Sequence, residues 1–267
     1  MEPWRTSIAN TDETHVWLRG YDVTSLMTGA TFTDTIFLLH QGRLPSQDER
    51  RLLDAILIGV CEHGPGAPSA AAARIVASGN RQSLEAAIGA GVLAIGDAHG
   101  GAGYACMQMI AEGLDRARRE SLSIQDAAQQ AVVESVAQGR RLPGMGHRIH
   151  THDPRTDILF GMAREAGLAR DGIAFMQALE QAAREKIKPL PINIDGALAA
   201  VLYDLGFPPP LARLIFIIGR VAGLTAEVME EHTREKPMRV RIPVTYDGPC
   251  TVDVDRQRLY FFPRGLF

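Results

Sequence analysis

Apolar positions along the 267-residue chain recur mostly at helical spacing. The clearest run begins at Pro45 and reads PSQDERRLLDAILIGV. Ser46 and Glu49 form an S-x-x-E capping box, and Leu52, Leu53, Ile56, Leu57 and Val60 fall on one stripe, which predicts a helix opening at Ser46. The same periodicity, broken by glycine and proline, predicts helices over roughly 32–40, 69–78, 82–93, 101–118, 124–138, 156–166, 172–186, 196–205 and 210–230. Only His15–Arg19 and the pair Arg239–Tyr246 and Thr251–Phe261 alternate as strands do. The predicted class is therefore mainly α, with minor β pieces.

Composition adds limits to that pattern. With 46% hydrophobic and 22% charged residues, the chain can bury a sizeable core as one large domain or two intimately packed ones. A formal net charge of -3, from 28 basic and 31 acidic residues, offers no polybasic face for nucleic acid or an anionic membrane surface. Cys61, Cys106 and Cys250 are too irregularly spaced for a disulfide framework or a CxxC metal site. Residues 1–10 contain no apolar signal-peptide core. A cytoplasmic protein is expected on both grounds. The weakly charged tract from Ala86 to Ile110 is long enough to suggest a membrane span, but Asp97 and His99 interrupt it, so no span is expected.

Glycine and proline cluster at helix junctions, in HGPGAPS (63–69), GDAHGGAG (96–103), LPGMGH (142–147) and PLPINIDG (189–196). Loops at helix ends are where a rigid scaffold presents reactive groups, helix N-termini favour anions, and glycine lets a ligand approach the backbone. Each cluster taken singly also reads as an ordinary connection.

Taken in order, the clusters resemble the citrate synthase superfamily. GMGHRIHTHDPR is similar to its most specific signature, a small-residue turn before a histidine with Asp-Pro-Arg shortly after. The segment ending in GDAHGGA resembles the helix pair leading into a glycine-flanked catalytic histidine, and PINIDGALAAVLYDLG resembles the segment carrying the catalytic aspartate. RGYD (19–22) and RLIFIIGRVAGLTAEVMEE followed by RVRIPVTYDGP extend the likeness from about Trp17 to Pro249. It implies a multi-helix fold of large and small subdomains in one unit spanning 1–267, the small one occupying about 101–205.

The resemblance also implies roles. His99, His147 and Asp195 become the catalytic residues, Arg155, Arg220, Arg241 and His63 the substrate-carboxylate contacts, and Pro143, Gly144, Met145 and Gly146 a loop recognising the adenine of coenzyme A. Chemistry at the carbon next to a thioester requires a carboxylate to move a carbon-bound proton and a donor to stabilise the enol oxygen, the roles of Asp195 and His99. His147 serves the carbonyl or hydroxyl oxygen of a keto-diacid, whose carboxylates suit arginine's planar fork. The expected partners are an acyl-CoA and a keto-diacid, with coenzyme A a substrate rather than a bound cofactor. A homodimer is implied, with Arg241 reaching the neighbouring site.

The residues also have plainer readings. Asp195 can cap a helix starting at Gly196, and Arg220 can be a solvated helix position, although IFIIGRVAGL is an expensive place for an unpaired charge. His147, His150, His152 and Asp153 form an HxxHxH-plus-Asp cluster that could hold a transition metal, but it lacks supporting ligands, and no metal is expected. Departures from citrate synthases are local. The interval from His147 to Asp-Pro-Arg is one residue tighter than in the GHRVYKNYDPR form, and HGPGAPS replaces a HELNAS-like text around His63. NIDG and GDAHGGA are closer to NVDG and GDRFGGA in the citryl-CoA-cleaving module of ATP-citrate lyase. With the modest chain length, they imply citryl-CoA cleavage to acetyl-CoA and oxaloacetate. The alternatives are a condensing enzyme of the citrate synthase type and a non-catalytic binding homologue.

Overall fold

The computed structural model describes residues 2–146 and 152–248. A short antiparallel sheet, β1 (Ala9–Thr11), β2 (Val16–Leu18) and β3 (Tyr21–Asp22), pairs in sequence order and feeds directly into helix α1 (Val23–Gly29). Ten helices follow: α2 (Phe32–Gln41), α3 (Gln47–Val60), α4 (Pro68–Gly79), α5 (Leu84–Leu93), α6 (Ala102–Glu120), α7 (Ile124–Ala137), α8 (Pro154–Glu165), α9 (Asp171–Lys186), α10 (Ile194–Asp204) and α11 (Pro210–Arg234). The expected mainly α class is observed. The Ser46–Glu49 capping box is present in full, and Thr31 with Asp34 forms a second one on α2.

α10 is the helix that the others surround. Its sequence IDGALAAVLYD is apolar on nearly every side, so it has no face suited to water. Ala197, Leu198, Ala199, Ala200 and Leu202 are fully buried, and α3, α6, α8, α9 and α11 pack around them. Each fully buried leucine contributes roughly 1.5–3 kcal/mol. The small residues bring neighbouring backbones close to the start of α10, where the candidate acid lies. A second, smaller core joins α4, α5 and α11 through Ala73, Ala77, Ala87, Leu224 and Val228.

α11 ends in a buried electrostatic clamp. The Glu231 carboxylate, fully buried, receives Arg74 of α4 at 3.0 Å and Arg239 at 2.9 Å and 2.5 Å. Arg81 caps the last turn through the carbonyls of Glu231, at 3.0 Å, and His232, at 2.8 Å. The backbone after α11 is thereby tied to α4, and Met238 N–H donates to Ser78 O at 3.0 Å.

Two expectations need correction. Arg239–Tyr246 alternates apolar residues but forms no strand among the described residues. Ile242 and Val244 are exposed. Alternation alone leaves the amides and carbonyls unpaired, and a strand requires a partner edge. Its intended partner, Thr251–Phe261, lies outside the described residues. The other correction is at α10, which begins two residues before the expected Gly196. Among the described residues no helix is long and apolar enough to cross a membrane.

Candidate active site

Asn193, rather than Asp195, is the N-cap of α10. Its Oδ1 accepts the amides of Asp195 at 3.0 Å and Gly196 at 3.2 Å, while its Nδ2 donates to Gly146 O at 2.7 Å. The Asp195 carboxylate is thus released from capping duty and sits within the first turn. Its Oδ1 is buried and has no hydrogen-bond partner among the described residues. Burial, only partly offset by the charges of Arg155 and Arg220 and reinforced by Asp153, pushes its pKa up to about 6. A carboxyl group poised there can give or take a proton near neutral pH.

His99 closes a tight turn in which Gly96 N–H donates to His99 O at 2.9 Å and His99 N–H donates to Gly96 O at 3.0 Å. Gly100 follows at φ +71°, and a Cβ there would stand 2.4 Å from Cε1 of Phe216. Glycine therefore allows the turn to press against α11, with Phe216 edge-on to the imidazole.

The His99 tautomer follows from Ser69, the second residue of α4. Its backbone N–H, one of the amides a helix start leaves unpaired, donates to His99 Nε2 at 3.2 Å. Ser69 Oγ accepts from Arg220 Nη1 at 3.2 Å and lies 2.8 Å from the same Nε2, which already receives the Ser69 amide. Nε2 is therefore an acceptor and the ring proton sits on Nδ1. Burial, then the charges of Arg220 and His63, holds the His99 pKa below its ordinary value. The product is a neutral imidazole with one N–H to donate. Replacing Ser69 by Ala removes the hydroxyl link but keeps the backbone donor, and kcat/KM is expected to fall about 10- to 100-fold by the usual weight of a supporting hydrogen bond. Steady-state kinetics with a thermal melt as folding control measures this.

Two arginines converge on the same place. Arg220, 3% exposed in the middle of α11, donates Nε to Val60 O at 2.9 Å and lies over the Phe216 ring, and once Ser69 is counted three of its N–H groups have no partner among the described residues. The solvated-helix reading of Arg220 is thereby excluded. Arg155, at the start of α8, is gripped by Asp153 through Nε at 2.9 Å and Nη2 at 2.8 Å and donates Nη1 to Gly59 O at 3.1 Å. The buried Asp153 also accepts Ile194 N–H at 3.0 Å, tying the Asp-Pro-Arg turn to the start of α10. Both guanidinium groups act electrostatically on Asp195.

The loop 143–146 packs against the same helix start. Gly144 has φ +76°, and a Cβ there would lie 2.6 Å from Gly196 Cα. Gly144 O accepts from Asn193 N–H at 3.1 Å and Gly146 N–H donates to Pro191 O at 2.7 Å, around an antiparallel bridge between Met145 and Ile192. In that pattern the N–H and C=O of Met145 point from the opposite edge.

The remaining candidates are placed unevenly. His63 is exposed, yet close enough to His99 to influence its ionisation. Arg241 is exposed in the segment after α11, and among the described residues no hydrogen bond ties it to this cluster. His147 and His150 lie outside the described residues, and His152 pairs with Asp157 at 2.5 Å.

The family model described as citrate synthase, C-terminal domain, matches residues 46–241. The chain belongs to the citrate synthase family. Family relatives include the citrate/2-methylcitrate synthase of Bacillus subtilis strain 168, 30% identical over 82% of this chain and 57% of that protein. The chain thus spans little more than half the length of that synthase. Among solved structures, the citryl-CoA lyase of Hydrogenobacter thermophilus is similar with a TM-score of 0.87 and 36% identity, covering 97% of this chain and 100% of that one. ATP citrate lyase of Methanothrix soehngenii, solved with citrate and coenzyme A, shares the fold at a TM-score of 0.79 and 22% identity over 93% of this chain and 42% of that chain.

Within this citrate synthase-family site, sequence reasoning missed Ser69 and the supporting roles of Asn193 and Asp153. Pro68-Ser69 at a helix start and Asp153 two residues from Arg155 are the local signals for two of them. The third, Asn193, stands two residues before Asp195, the residue that the sequence offered as an alternative cap.

Proposed function

We propose that this chain is a citryl-CoA lyase, cleaving citryl-CoA to acetyl-CoA and oxaloacetate through an enol intermediate. The observation that carries the reading is the end-to-end likeness to the Hydrogenobacter thermophilus citryl-CoA lyase, at 36% identity. The juxtaposition of a neutral His99, a carboxyl poised near neutrality and two inward arginines supports it.

In this reading His147 takes the hydroxyl proton of citryl-CoA as the carbon–carbon bond breaks. The electron pair moves into the thioester, whose oxygen accepts a hydrogen bond from His99 Nδ1–H, and protonated Asp195 delivers a proton to the terminal carbon. Acetyl-CoA leaves with that proton, and the new ketone is oxaloacetate, its carboxylates held by Arg155 and Arg220 with His63 beside them. Condensation is the same path reversed. The Met145 edge of the 143–146 loop would meet the adenine of coenzyme A. The adjoining cleft of 290 Å³ between α6 and α7, bordered by Arg140, Arg141 and Pro143, would take its phosphates. We further propose a cytoplasmic homodimer in which Arg241 completes the neighbouring site.

The reaction consumes no net proton, so the productive enzyme carries one proton shared between Asp195 and His147 in either direction. The expected kcat/KM for citryl-CoA has a maximum and falls on both sides, with one limb near pH 6 set by Asp195. A profile flat from about pH 5 to about pH 9 would remove the acid–base assignment.

The second reading, a condensing synthase, is favoured by the 30% identity to the Bacillus subtilis enzyme. Acetyl-CoA and oxaloacetate incubated with the protein separate the two. A lyase releases no free thiol because the thioester survives, whereas a synthase releases coenzyme A stoichiometrically with citrate.

A further inference from the structure

Glu62 has no part in the chemistry above, yet it lies between two residues that do. Its Oε1 accepts the amides of His63 at 2.7 Å and Gly64 at 2.8 Å. Its Oε2 is buried and has no hydrogen-bond partner among the described residues. The segment that carries it is pressed onto α11 beside Arg220. Arg220 Nε donates to Val60 O at 2.9 Å, and a Cβ on Gly223, one turn further along, would stand 2.1 Å from Cys61 O and 2.6 Å from Glu62 Oε2. Of the charges acting on Arg220, that of Glu62 is the strongest and opposes the effect of burial.

A turn needs only one carboxylate oxygen to hold two amides. Leaving the other oxygen buried and unbonded is costly unless a nearby cation compensates it. Arg220 supplies that charge, with N–H groups uncommitted among the described residues. We propose that Glu62 is a positioning residue that works on the substrate through Arg220. It is an internal anion that neutralises Arg220 in the empty site and opposes the diacid's carboxylate in the filled one, favouring release of oxaloacetate. Its other oxygen fixes the turn that aims His63. This rests on the reading of Arg220 as a carboxylate holder.

Full-length protein and two variants test it, by calorimetric titration with oxaloacetate and by citryl-CoA kinetics. Glu62→Gln keeps an oxygen for the two amides and removes the charge. It is expected to bind oxaloacetate about five- to tenfold more tightly, the scale of one nearby charge in a partly screened site. KM for citryl-CoA should fall by a larger factor than any change in kcat. Glu62→Ala, which also frees the turn, should lose kcat in addition. Unchanged or weaker oxaloacetate binding by Glu62→Gln would overturn the proposal. Wild-type protein that binds oxaloacetate but leaves citryl-CoA intact would instead overturn the lyase reading, and the binding comparison would still decide the role of Glu62.

Discussion

Asp195→Asn is expected to reduce turnover of citryl-CoA by a factor of about 1,000 or more, because the amide can neither supply nor accept the carbon-bound proton. The same substitution should leave the fold intact and raise its stability at neutral pH. Moving a carboxyl pKa from 3.8 to about 6 by burial makes the ionised form about 3 kcal/mol dearer in the folded protein, to order of magnitude. The folded state binds more protons than the unfolded chain between those two values, so stability falls as pH rises through that window and stays reduced above it. Asparagine is free of this cost. Thermal melts of both proteins should nearly coincide at about pH 4 and diverge towards pH 7, with the variant the higher. A variant that melts lower at pH 7, or that retains a tenth of the activity, would contradict the role assigned to Asp195.

Arg220→Lys should be nearly as damaging. The positive charge is kept, but a lysine has no planar fork with which to bond Val60 O, Ser69 Oγ and a carboxylate at once. The expected loss in kcat/KM for citryl-CoA is about 100- to 1,000-fold, the scale of one bidentate charge-assisted contact together with a misplaced His99. KM should carry the loss of the carboxylate contact, and kcat the loss of the Ser69–His99 alignment. A change confined to KM would show that the Arg220–Ser69–His99 chain is not coupled to the chemical step.

The fold was legible because its helices announce themselves locally. Ser46 and Glu49 in α3, and the apolar stripes of α2, α6 and α11, need no knowledge of the tertiary structure. β1 and β3 were not legible, since strands of three and two residues carry too little alternation to register, and neither was the seven-residue α1. The strand expected over Arg239–Tyr246 failed for the complementary reason: its pattern was strong, but alternation by itself does not create a pairing edge.

At the candidate site, the expected residues that the structure brings together come from motifs contiguous in the chain. His99 with its glycines, Asp195 in NIDG and Arg155 in Asp-Pro-Arg belong to this group. Ser69 and Glu62 reach the neighbourhood of Arg220 because α4 and the segment after α3 are packed against α11, across some 150 residues of sequence in the case of Ser69 and Arg220. No local pattern encodes that meeting. The alternative reading of Asp195 as the cap arose because Asn193 and Asp195 are both good capping residues, and the structure gives the cap to Asn193, whose side chain also bonds the 143–146 loop.

The most direct measurement is the fate of citryl-CoA mixed with the purified protein at neutral pH, with acyl-CoA species and free thiol followed together. The expected result is one acetyl-CoA and one oxaloacetate for each citryl-CoA consumed, with no free coenzyme A, and no such conversion by Asp195→Asn. Release of free coenzyme A with citrate, or citryl-CoA left unchanged, would contradict the lyase assignment.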